Sequence, residues 1–234
     1  MNTVDLIVDS VSAFYKVLQA DPNGRFRSWE HCYKCFFDAR NQESNDYDYL
    51  SLQLAFYLAS WGMYRGSSFL LQKDYKVHIP VVQEILKKQY DCLMGIECSE
   101  LRKPQVQEQL HSLCSFMNSY YNKVRISVKA EDVKNDLSQT LITKILMGSL
   151  GCVPAYDRYF IAGVKDQHIT TGFFNIRSLL KLVDFYENNR EKLEQLRSEF
   201  EFHGLLYPQM KILDLGFWQI GFEKDLQKGI QTAH

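Results

Sequence analysis

The sequence predicts an all-α protein, a bundle of about ten helices arranged as one body or as two helical subdomains. Three observations carry that expectation. Apolar residues return every three or four positions through most of the chain, the mark of helices with a buried stripe. Strict alternation, the mark of a half-buried strand, is confined to residues 123–128. No internal repeat or low-complexity run appears, so neither a solenoid nor a disordered tail is expected.

The elements follow in order. Val4, Ile7, Val8, Val11, Phe14, Tyr15 and Leu18 mark a first amphipathic helix, ended by Asp21-Pro22-Asn23-Gly24. Ser28 is placed to cap a second helix running to Arg40. Residues 49–64 are almost wholly apolar. A helix apolar on all sides belongs at the centre of a bundle, so this stretch is expected to be the buried central helix. It is too short and too interrupted to span a bilayer, and no membrane partner is expected. Residues 67–75 and 80–90 read as further helices, broken near His78-Ile79-Pro80, and residues 92–103 as irregular. From Pro104 a long helix carries Val106, Leu110, Leu113, Met117, Tyr120 and Val124 on one face. The charged bridge from Lys129 to Asn135 suggests a division into an N-terminal region, 1–127, and a C-terminal region, 128–234. In the second region a loop is expected over residues 163–171. Asn175 is placed to cap the next helix, Asn188-Asn189 to bend it, Gly204 to close it, and a last helix begins at Pro208.

Composition narrows the function. The chain of 234 residues carries 27 basic and 28 acidic side chains, a net charge of −1. That balance does not advertise nucleic acid. Between Asn122 and Lys181, however, nine basic residues face five acidic ones, a local excess compatible with phosphate contacts. The N-terminus has Asp5 and Asp9 where a signal peptide would have a basic segment and an apolar run, so a cytoplasmic chain with reduced thiols is expected. Of the six cysteines, Cys32 and Cys35 have the C-x2-C spacing of zinc or redox sites. They lie in a helical pattern with no second pair to close a tetrahedral set, and read as core thiols. No metal site and no cofactor are expected.

One stretch gathers groups with chemistry: Thr143-Lys144, then Gly148, Gly151, Val153-Pro154 and Asp157. Leu137, Leu141, Ile142, Ile145 and Leu146 predict an amphipathic helix with Lys144 at the edge of its apolar stripe. Partial desolvation there would favour a neutral, nucleophilic amine. Gly148 and Gly151 are expected to break the helix, Gly151 as a left-handed cap. Pro154 suits the first turn of a second helix, with Asp157 in that turn. The whole reads as a helix-turn-helix element over residues 136–163.

This element resembles the core of the helix-hairpin-helix DNA glycosylases, especially the 8-oxoguanine branch. In that family the lysine after the threonine attacks the sugar C1′, and the aspartate after Val-Pro supports the departing base. The resemblance implies Lys144 as Schiff-base nucleophile, Asp157 as its carboxylate partner, and double-stranded DNA with a damaged base as substrate. It covers residues 136–160, and Asp136–Ile142 lacks the glycine-rich hairpin that should precede the lysine. Trp61, Tyr156 and Trp218 would hold a flipped base. With Arg65 and Arg158 they complete the candidate ligand-binding set. The alternative is a non-catalytic helical protein that binds a partner or small ligand near Trp61, Arg65 and Trp218. A third reading places an anion on Arg65, Ser67 and Ser68. Asp214, among apolar neighbours, is turned to solvent or paired with Arg65 or Lys144.

Overall fold

The protein is all-α. A computed structural model describes residues 2–129 and 138–231, and among them ten α-helices, five short 3-10 helices and one minimal hairpin. In chain order the helices are α1 (Thr3–Ala20), α2 (Ser28–Ala39), α3 (Tyr47–Ser60), α4 (Ile79–Ile85), α5 (Pro104–Lys129), α6 (Gln139–Ser149), α7 (Arg158–Asp166), α8 (Ile176–Asn188), α9 (Arg190–Arg197) and α10 (Gln209–Gln231). Asp136, Leu137 and most of the charged bridge before them lie outside the described residues. No helix among the described residues is long and apolar enough to cross a membrane.

The chain forms two units, each assembled from separated stretches: Met1–Pro22, Gly95–Arg102 and Gly151–His234 in one, Asn23–Met94 and Lys103–Leu150 in the other. The dividing line drawn from sequence at 127/128 falls inside α5, whose apolar spacing continues through that point.

In the second unit α3 packs against α2, α4 and α6. Asp46 caps it, its side chain accepting from the Tyr49 amide. The expectation of burial on all sides fails. Tyr49, Leu52 and Phe56, spaced three and four residues apart on one face, are 48%, 47% and 56% exposed. The enclosed helix is α6 instead, buried at every residue from Leu141 to Ser149. Its polar side chains permit this because each is satisfied. The Thr143 hydroxyl donates to the Gln139 carbonyl and the Ser149 hydroxyl to that of Ile145. Gly148 does not break α6. It lies within the helix where the Tyr57 ring presses on its backbone, and a Cβ there would meet that ring. Gly151 does adopt the left-handed conformation, at φ +64°. Of the segments read as helices, residues 67–75 hold 3-10 turns, residues 80–90 begin as α4 and end in a 3-10 turn, and residues 123–128 are the end of α5.

In the first unit α10 packs against α1 and α7. Glycines set these contacts. A Cβ on Gly163 of α7 would overlap the Phe217 carbonyl of α10, and one on Gly221 of α10 would overlap the Tyr159 carbonyl and approach Gly163 N at 3.0 Å. A Cβ on Gly216 would stand 2.6 Å from Ile7 Cδ1 of α1. Gly163, expected in a loop, is therefore the point where two helix backbones meet. Ser28 opens α2 from within its first turn, and its cap position is Arg27. The hairpin Glu201–Phe202 with Leu205–Leu206 turns through His203 and Gly204, both at positive φ. Those are the backbone angles of a tight type I′ turn, whose two-residue strands are too short to leave an alternating signal.

Candidate functional site

Lys144 is 4% exposed, and its Nζ donates to the Trp61 carbonyl at 2.7 Å. Trp61 is the C-cap of α3, where carbonyls lack helical partners and the helix dipole is negative. The ammonium thus caps a neighbouring helix instead of bordering open space. Around it, Trp61 packs on Phe26 and Tyr57 with ring centroids 5.2 and 6.4 Å away, and the Trp29 indole donates to the Met147 carbonyl at 2.9 Å.

Asp157 belongs to the other unit. It is the N-cap of α7, its Oδ1 accepting from the amides of Tyr159 and Phe160 at 3.1 Å each. Pro154 lies in the extended connector before it, so the second helix starts four residues later than the proline suggests.

The proposed ligand set divides in the same way. Tyr156 is fully buried, its hydroxyl 3.2 Å from Ser178 Oγ and its ring packed on Phe160 and Phe174. Burial pushes its hydroxyl up to about 12. Trp218 is 8% exposed, stacked on Phe222 at 5.1 Å and edge-on to Phe14 and Tyr159. Both are core aromatics, Trp218 on the inward face of α10 and Tyr156 in the connector before α7. Arg65 is exposed and folds over Gly62, which is at φ +80°. The Ser68 hydroxyl beside it accepts from the Leu70 amide, capping a 3-10 turn. Asp214 pairs neither with Arg65 nor with Lys144. It is held by Lys211 of its own helix at 2.8 Å, with both side chains almost fully buried, and it also accepts from the Ala155 amide. Cys32 is buried and Cys35 partly so, with its thiol 3.7 Å from the Tyr49 hydroxyl. Burial raises both thiols above their ordinary values. Among the described residues no cluster of three or more His, Cys, Asp and Glu is placed to hold a metal.

Of the candidates, Arg158 lines a cavity. A hollow of about 470 Å³ opens on the first unit, lined from α7 by Arg158, Tyr159, Lys165 and Asp166, from the following turn by His168, and from α10 by Gly221, Lys224 and Asp225. Gly221, where α10 meets α7, is among the lining residues. Its charges are partly matched: Asp225 lies 3.5 Å from Arg158, and Lys224 pairs with Asp166. The Arg158 guanidinium also lies over the Tyr159 ring, 4.3 Å from its centroid. Both acids are thereby committed, while Lys165 makes no ion pair among the described residues.

His168 closes α7. Its amide donates to the Lys165 carbonyl, and that of Ile169 to the Val164 carbonyl at 2.9 Å. This is the helix ending in which glycine ordinarily takes the left-handed place. A histidine sits there at φ +55°, at a cost of about 1 kcal/mol relative to glycine. Sequence reasoning noted His168 only as a loop residue. The signal that could have found it was the absence of glycine where α7 must stop.

A second site missed in the sequence is buried. The His78 ring is fully enclosed, with Nε2 2.7 Å from the Tyr64 hydroxyl and Nδ1 2.6 Å from that of Tyr121. Burial pushes His78 down to about 3 from an ordinary 6.5, so it is neutral in the folded protein. Below pH 6.5 the unfolded chain binds a proton that the folded chain refuses. Stability should therefore fall as pH drops from about 6.5 towards 3, by on the order of 3 kcal/mol at pH 4. Urea unfolding of the parent and of His78→Gln between pH 7 and 4 measures this. An equal acid slope in both would remove His78 as the cause.

No protein-family model, curated protein or solved structure matches this chain.

Proposed function

We propose that this protein acts by binding and not by covalent catalysis, as a helical module in a reducing, cytoplasmic compartment. One observation carries the reading: the Lys144 ammonium, the only nucleophile picked out by its sequence setting, is enclosed and spent on the Trp61 carbonyl. An attacking amine must be neutral, reachable and aimed at an electrophile. Here the amine would have to leave the end of α3 first. Asp157 is likewise engaged as a helix cap. Support for the compartment comes from the cysteines, none of which forms a disulfide.

The test is borohydride reduction in the presence of duplex DNA carrying 8-oxoguanine. A lysine that forms an imine with the sugar would be fixed to the DNA. No adduct is expected, and Lys144→Met should lower stability by about 1–3 kcal/mol, the cost of leaving a buried carbonyl unsatisfied.

The glycosylase-lyase reading remains the second, resting on the residues Thr143-Lys144, Val153-Pro154 and Asp157. It requires Lys144 to be released and DNA to be gripped. It also predicts DNA affinity that falls steeply with salt, whereas the binding reading predicts none at any salt. A trapped adduct that disappears in Lys144→Ala would establish it in place of the first.

A further inference from the structure

We propose that the hollow beside α7 and α10 binds a small soluble phosphomonoester, an assignment that rests on the binding reading and names its ligand class. Three observations converge. The volume, about 470 Å³, is that of a small-molecule site. The lining carries more cation than it neutralises: Asp166 and Asp225 pair with Lys224 and Arg158, which leaves the Lys165 charge unmatched, and the His168 ring lines the same space. A phosphate group fits that lining better than a single carboxylate does, because it offers three acceptor oxygens to donors arriving from different elements.

The third observation is local and independent of charge. His168 stands at a left-handed helix ending that glycine would fill with less strain. That ending sets His168 at the cavity wall, beside Lys165 in the lining. Lys165 and Arg158 lie two helical turns apart on α7, about 10 Å. The phosphate would sit at the Lys165, His168 and Lys224 end, and the organic part would lie along Tyr159 towards Arg158.

The experiment uses the full chain and inorganic phosphate, with chloride at matched ionic strength as control. Binding is followed by amide NMR shifts and by calorimetry. Saturable shifts of residues 158–168 are expected with phosphate and not with chloride. Lys165→Ala should weaken binding about tenfold and Lys165→Arg should retain it. His168→Gly should raise the melting temperature while weakening phosphate binding, an opposition that a merely structural histidine would not show. Identical behaviour in phosphate and chloride overturns the assignment, as does full affinity in Lys165→Ala. Vesicles of phosphatidylcholine with and without phosphatidic acid form the last arm. Capture by phosphatidic acid without binding of free phosphate would also overturn it. A borohydride adduct at Lys144 would overturn the binding reading instead, so the two failures are separable.

Discussion

Gly163→Ala and Gly221→Ala are each expected to destabilise the protein by at least about 3 kcal/mol, seen as a melting temperature lower by roughly 10 °C. The two glycines face each other where α7 crosses α10. A methyl group on either would enter the carbonyl oxygen of the opposite helix, Phe217 in one case and Tyr159 in the other. Carbonyls within a helix cannot turn aside as a side chain can. The helices would have to separate, and separation loosens the packing of Phe160 on Phe217 and of Tyr159 on Trp218 and Phe222. Alanine is the better helix former by about 1 kcal/mol, so an unstrained site would be stabilised by the same change. The sign of the effect is therefore diagnostic. The double variant should cost less than the sum, because both residues serve one crossing. Unchanged melting in either single variant would mean that the helices do not meet here.

Lys211→Met should cost about 3–5 kcal/mol, the usual consequence of removing one partner from a buried ion pair. Lys211 and Asp214 are almost fully enclosed on α10, and the Asp214 carboxylate divides itself between the ammonium and the Ala155 amide. Without the lysine, a buried carboxylate keeps only a neutral donor. Adding Asp214→Asn to Lys211→Met should recover part of the loss, since the amide oxygen can still accept from Ala155 while the charge is gone. Chemical denaturation of the three variants near neutral pH reads the comparison. A double variant as unstable as the sum of the singles would show that the two side chains do not act as a pair.

This pair shows where sequence reading stops. Asp214 is visibly odd among Leu213, Leu215 and Phe217, and the sequence offers solvent, Arg65 or Lys144 to satisfy it. The partner is three residues away on the same helix, a spacing that the sequence contains. What the sequence lacks is any sign that Lys211 is also buried. The same gap misplaced the candidate site. Lys144 looks like a stripe-edge residue on a helical wheel, because a wheel knows only its own helix. The neighbour that encloses it, the end of α3, comes from more than eighty residues earlier in the chain.

Other features were legible because their causes are local. The helices α1, α5, α6 and α8 stand where apolar spacing puts them, and Asn175 caps α8 by accepting from the Ser178 amide. Asp157 caps α7 by the same chemistry, at the helix start and not in the first turn where the pattern puts it. Spacing, caps and the left-handed turn at Gly151 act within a few residues, so the order of residues alone determined an all-α chain and most of its helix starts. Which helix is enclosed was decided by tertiary packing. It chose α6 over the more apolar α3, because α6 satisfies its own hydroxyls and lends its lysine to a neighbour. Packing also turned Gly148 and Gly163 from expected breaks into contact points, and it gathered Arg158, Lys165, His168 and Lys224 around one hollow. Those outcomes depend on partners far away in the chain, and a local pattern carries no record of them.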